Sequence, residues 1–158
     1  MCQFHKKRVM FQWSLARNLT RSRICAWWPI IKGDPIEMEE AALAKDRALL
    51  GQLLETFVFQ ELRRQASWHE DAISFYHFRD KDSYEVDIVL EIAGRDISGV
   101  EVKASATVTD SDFRGLRKLK DASGARFTAG VVLYDGENLV CFGENLFAVP
   151  IKALWSLK

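Results

Sequence analysis

Between Glu37 and Trp68 the chain has no proline and a single glycine, Gly51, and its apolar residues fall in pairs at helical spacing. Leu49/Leu50, Leu53/Leu54, Phe57/Val58 and Leu62 predict a helix with a broad stripe for packing on a sheet. The period then drops to two. Ile73 to Phe78 reads as a first strand, and Arg79 to Ser83 as a turn. In the second strand, Tyr84 to Ile92, alternation places Val86, Ile88, Leu90 and Ile92 on one face and Glu85, Asp87 and Glu91 on the other. Ala93-Gly94-Arg95 predicts a tight turn into a third strand, Asp96 to Lys103.

A second helix is announced by Thr109 and Asp110 at its cap and by Asp112 in an acidic first turn. Phe113, Leu116 and Leu119 give its buried stripe, and Ser123-Gly124 its end. The strand Phe127 to Tyr134 follows. Asp135-Gly136 and Gly143-Glu144 then set off two short strands, Leu139 to Phe142 and Leu146 to Val149, as a terminal hairpin. Pro150 ends the last strand, and Ala153-Leu154-Trp155 reads as a closing apolar turn. Trp68, Phe75 and Tyr76 are expected in the core. The order predicts an α/β domain: helix, three strands, helix, strand and C-terminal β-hairpin, in a mixed central sheet flanked by helices.

Composition changes this picture little. The chain of 158 residues has 48% hydrophobic and 28% charged residues, with ten Phe and five Trp, enough apolar surface for a real core. No apolar run approaches the roughly 20 residues of a bilayer span. Charge divides the chain in two. Residues 1–35 hold seven Lys/Arg against one acid, and residues 36–158 hold fifteen against twenty-one. Two units follow: a basic, unassigned N-terminal segment, 1–35, and a folded domain, 36–158. The first segment has the composition of a transit peptide or a basic arm; disorder, or a non-native start from a mis-set gene boundary, is an equal reading. Cys2, Cys25 and Cys141 form neither a disulfide framework nor a CxxC pair, which fits reduced thiols in a cytoplasmic protein.

Chemistry concentrates in Glu85-Val-Asp87 and Gly99-Val-Glu101-Val-Lys103. Residues two apart on a strand point the same way, so Glu101 and Lys103 emerge together while Val100 and Val102 enter the core. Pairing through the Gly94 turn would bring Asp87 to the same sheet face, placing two carboxylates and an ammonium in one cleft. Such oxygen donors suit Mg²⁺ (or Mn²⁺), which needs only one or two carboxylates. Bound metal would polarise a phosphodiester and acidify an attacking water, and the lysine would orient that water or stabilise charge on phosphorus. Read alone, Glu-x-Lys is a common pair, and a surface ion pair is the alternative. Arg79, Arg114, Arg117 and Lys118 are weaker candidates for phosphate contacts, set against a solvated helix face. His69 and His77 lack metal-ligand partners at standard spacing.

Together these segments resemble a known family. Asp87 followed by Gly-Val-Glu101-Val-Lys103-Ala is similar to the core signature of the PD-(D/E)xK phosphodiesterases, with Val86 where the signature has proline. Leu-Gly-Gln-Leu-Leu-Glu-Thr-Phe-Val at 50–58, Glu85-Val-Asp, Asp-Phe-Arg-Gly-Leu at 112–116 and Gly-Val-Val-Leu-Tyr at 130–134 widen the match to about residues 41–155. The whole resembles the uncharacterised DUF4143-type C-terminal domain of prokaryotic AAA-type ATPases. That resemblance implies a restriction-endonuclease-like core. It implies Asp87 and Glu101 as metal ligands, Lys103 as the catalytic lysine, and Glu55 as a first-helix acid at the same metal site.

No G-x-x-x-x-G-K-[ST] loop is present, so the chain is expected to lack ATPase activity and to be detached from the ATPase region that accompanies the family. The expectation is a magnesium-dependent nuclease-like domain acting on nucleic acid. Two alternatives are a catalytically inactive module of the same fold that binds nucleic acid or a protein, and a structural remnant of an ATPase.

Overall fold

The computed structural model describes residues 46–155. The basic segment 1–35 and the first part of the predicted helix, 37–45, lie outside the described residues. Helix α1 is Arg47–Ala66, opened by Asp46, whose carboxylate accepts the Leu49 N–H at 3.0 Å. Strands β1 (Ile73–Arg79), β2 (Glu85–Ile92) and β3 (Asp96–Lys103) follow. A 3₁₀ turn, Asp110–Phe113, leads into helix α2 (Arg114–Ser123), and then come β4 (Phe127–Tyr134), β5 (Val140–Gly143) and β6 (Leu146–Pro150). A last 3₁₀ turn spans Ile151–Leu154.

The described residues form an α/β domain with one mixed six-stranded sheet in the order β1-β2-β3-β4-β6-β5. β1, β2 and β3 are antiparallel neighbours; β3, β4 and β6 run parallel; β5 returns antiparallel on β6. The β2–β3 turn has Ala93 and Gly94 both at positive φ (51° and 67°), and Arg95 N–H bonds the Ile92 carbonyl at 3.0 Å. Those are the signs of a I′ turn, whose twist matches the strands it joins. Since β3 and β4 are parallel, they need a crossover, and α2 supplies it.

Two apolar clusters sandwich the sheet. On the α1 side Val58 of the helix packs with Ile88, Leu90, Val100, Val102, Leu133, Phe147, Val149 and Leu154. On the α2 side Leu116 and Leu119 of the helix and Phe113 of the turn before it pack with Val86, Val89, Phe127, Val132, Tyr134, Leu146 and Ala148. This division corrects the alternation expected for β2, because Val86 and Ile88 belong to opposite clusters. Pairing explains it: Tyr76 faces Val89 and Phe78 faces Val86, so the single residue His77 opposes both Asp87 and Ile88. A two-against-one bulge of this kind flips the side-chain parity and re-aims the residue at its apex.

The helix stripe is also narrower than expected. Leu54, Val58 and Leu62 pack on the sheet, whereas Leu49, Leu53 and Phe57 are exposed, Phe57 to 54%. Tyr76 and Trp68 are exposed rather than core, at 55% and 43%, while Phe75 packs edge-on against Phe59. Of the closing turn, Leu154 is buried and Trp155 lies outside against Phe57, ring centroids 5.4 Å apart.

Candidate functional site

β2 and β3 do not pair along their whole length. Their ladder runs from Ile92↔Asp96 to Ile88↔Val100 and stops there. Beyond that point Glu85 and Val86 pair only with β1, and Glu101, Val102 and Lys103 only with β4. The two strands therefore fork, and the bulge sits at the crotch of the fork. Asp87 is aimed into the opening, where its Oδ2 accepts the Val102 N–H at 2.8 Å. A side-chain oxygen thus replaces a missing ladder bond and satisfies a backbone donor that would otherwise be orphaned. Asp87 is not displayed on a sheet face, as alternation alone suggested, but lodged between the arms of the fork.

Four elements meet at this fork. α2 closes one side at close range: a Cβ on Gly115 would lie 2.0 Å from the Glu85 carbonyl oxygen, so only glycine lets helix and strand approach so far. The turn before α2 contacts the other arm, with Asp112 Oδ1 at 3.2 Å from Lys103 Nζ. From α1 comes Glu55, which feels the charges of Asp87, His77 and Lys103. From β1 comes His77, whose Nδ1 is 3.4 Å from the Asp87 carbonyl oxygen. Neither His77 nor the Asp112 contact with Lys103 was foreseen. Nothing in the sequence marks the bulge that brings His77 opposite Asp87, but Thr109-x-x-Asp112 is a legible helix-start signature.

The electrostatics of the fork are those of crowded carboxylates. Burial, then the repulsion of Asp87 and Glu55, pushes Glu101 up to about 8 despite the opposing Lys103 ammonium and Asp87 main chain. Asp87 is raised as well, by burial first, although the Val102 N–H, His77 and Lys103 pull the other way. Glu55 is raised by burial and then by Asp87. Glu101 and Lys103 do not form the mutual surface pair considered from sequence, since the lysine's ion-pair partner is Asp112.

The peripheral cations divide. Arg117 is bound by the Asp110 carboxylate and carbonyl, and Arg79 pairs with Glu85 at 3.0 Å. Lys118 lies over the Tyr84 ring, 5.3 Å from its centroid, and Arg114 is exposed beside it on α2. Two of the four weaker candidates are thus already neutralised by internal carboxylates, so any cationic rim rests on Arg114 and Lys118.

Among the described residues, no three His, Cys, Asp or Glu side chains are grouped closely enough to hold a metal by themselves. A magnesium-like ion asks for less: one or two carboxylates, with water and substrate oxygens filling the remaining positions. The donor set at the fork suits such an ion, because two desolvated carboxylates that repel each other gain most from a divalent countercharge.

Fold and site together define a small α/β domain with an acidic fork, one lysine and flanking cations. The chain belongs to the family described as "Domain of unknown function (DUF4143)", which it matches over residues 50–154. That span contains Glu55, Asp87, Glu101, Lys103 and Asp112. No curated protein and no solved structure matches the chain. No helix among the described residues is long and apolar enough to cross a membrane.

Proposed function

We propose that this domain is a magnesium-dependent phosphodiesterase of the PD-(D/E)xK type, with a restriction-endonuclease-like core, acting on nucleic acid. The observation that carries the reading is the bulge at Asp87. It places a carboxylate in the fork between β2 and β3, beside Glu101 and one residue pair from Lys103. Asp87 and Glu101 would hold Mg²⁺ or Mn²⁺, with Glu55 facing the same charges from α1. When bound, the metal supplies Lewis-acid polarisation of the phosphodiester and a more acidic water.

The chain's own groups do the rest. The bond from Val102 N–H engages one oxygen of Asp87, and the other would be offered to the metal. Lys103 supplies a positive charge where negative charge builds on phosphorus. Arg114 and Lys118 would take neighbouring phosphates along α2, and Tyr84 beneath Lys118 offers a ring on which a base can stack. The α2 side of the fork is closed by the Gly115–Glu85 contact, so substrate would enter from the open end of the arms.

The test is cleavage of single- and double-stranded DNA and RNA in Mg²⁺ or Mn²⁺. Wild-type protein should cut, and Asp87→Asn and Lys103→Met proteins that keep the wild-type melting temperature should lose at least about 100-fold in rate. Equal cutting by the variants would assign the activity to a contaminant and reject the reading.

A second reading has one observation in its favour. Leu49, Leu53 and Phe57 recur every four residues along the outer side of α1, and Trp155 extends the stripe. Such a stripe would suit a docking face. The domain would then serve as a packing module for an AAA-type ATPase region, with or without cleavage. Metal-dependent cutting that survives Phe57→Ser separates the two functions.

A further inference from the structure

The Lys103–Asp112 contact is unexpected in a site where three other carboxylates compete for the same ammonium. Glu55, Asp87 and Glu101 all feel the charge of Lys103, yet its ion-pair partner is Asp112, at 3.2 Å. Asp112 is anchored independently of the lysine. Its Oδ2 accepts the Thr109 N–H at 2.8 Å and the Thr109 hydroxyl at 3.0 Å, which leaves Oδ1 for Lys103. Two-point attachment at the start of the turn before α2 makes this carboxylate a fixed post rather than a mobile surface acid. Burial alone would raise it, but the Thr109 and Lys103 contacts outweigh that and hold it below the usual range, so it stays ionised.

We infer that Asp112 is a positioning residue that tethers Lys103 to the α2 side of the fork and so keeps Asp87 and Glu101 available to a divalent cation. The inference rests on the reading of the fork as a metal site. Its logic is competition. A lysine on a four-carbon stem is a tethered countercharge at very high local concentration, and without a rival it settles on the nearest carboxylate pair. In that position it occupies the oxygens that a metal needs and points away from an incoming phosphate. Asp112 offers the ammonium an equal charge on the far side, so one lysine neither blocks the pair nor leaves the site.

The experiment is a double-mutant cycle on Mn²⁺ binding by the full chain, followed by titration calorimetry, with no substrate present. Asp112→Asn should weaken Mn²⁺ binding about two- to fivefold, the size of one partly screened charge contact. In the Lys103→Met background the same substitution should change nothing, because the competitor is gone. Asp112→Glu should restore most of the affinity. If Asp112→Asn weakens binding equally in both backgrounds, its effect is on the fold of the turn and the inference fails. If it leaves Mn²⁺ affinity untouched while Asp87→Asn abolishes binding, the metal reading stands and the tether is wrong. Wild-type protein that binds no Mn²⁺ overturns both together.

Discussion

The two helices of this domain cover the same sheet in opposite ways. α2 is half the length of α1, yet it buries Leu116 completely and Leu119 almost so, and it touches backbone at Gly115. Twenty-residue α1 buries one apolar side chain fully, Val58, and leaves Leu49, Leu53 and Phe57 outside. Their sequences explain the difference. In α2 the apolar residues occupy one stripe and mostly charged residues the rest, so only one orientation buries anything. In α1 apolar residues lie on two sides, and the sheet can take only one of them. Apolar content thus measures how much surface a helix wants covered, not how much its own domain covers.

The sharpest way to break this asymmetry is on the α2 side. Leu116→Ala should cost about 4 kcal/mol, since a fully buried leucine leaves a cavity. Gly115→Ala should cost about 3 kcal/mol, because the added methyl meets the Glu85 carbonyl and must push helix and strand apart. Denaturant melts of the two variants check both values. Gly115→Ala should also weaken metal binding more than Leu116→Ala does, since it displaces an arm of the fork itself.

A smaller effect tests the seam between the two faces. Folded Glu101 titrates near 8, above its ordinary 4.5, so between those limits the native chain keeps a proton that the unfolded chain releases. Stability therefore falls as pH rises from about 4.5 to about 8. Metal-free protein should melt at a lower temperature at pH 9 than at pH 6, and Glu101→Gln should flatten the slope while abolishing cleavage. Saturating Mn²⁺ should flatten the slope, because the ion displaces the proton and its tighter binding at high pH offsets the stability lost there. A slope unchanged by Glu101→Gln would place the titration elsewhere.

The smallest effect belongs to the outer side of α1. Leu53→Ser and Phe57→Ser should shift stability by no more than about 0.5 kcal/mol, as for other exposed positions. The contrast with Leu116→Ala would confirm that one helix is structural and the other has a side to spare. A loss of 2 kcal/mol or more at Phe57 would show that its contact with Trp155 seals the domain.

Much of this architecture was legible in sequence. The period-two runs gave β1 to β4 to within a residue or two, and Asp110-x-Asp112 before an apolar stripe located the start of α2. The site was legible in identity more than in shape. Asp87 and Glu101 could be named because two acids flank a tight turn on adjacent strands. Their meeting in a fork could not, since a bulge adds one residue to a ladder without leaving a mark in composition. The exposure of Leu53 was hidden for a different reason: a helical wheel shows two apolar sides and cannot say which one the sheet takes. Lys103 was placed in a shared cleft without its Asp112 ion pair, because an i to i+9 contact through a loop has no periodic signature.

Both flanks of the sheet are poor templates for another chain. On one, the register of β1 is broken opposite the β2 bulge; on the other, β5 is only four residues long and ends at Gly143. Unpaired margins of β-structure invite recruitment of foreign strands, and short or bent ones discourage it. Among the described residues, a foreign strand would thus find little continuous backbone to pair with, so a companion would gain more from side chains on the helical layers than from main-chain amides at the margins.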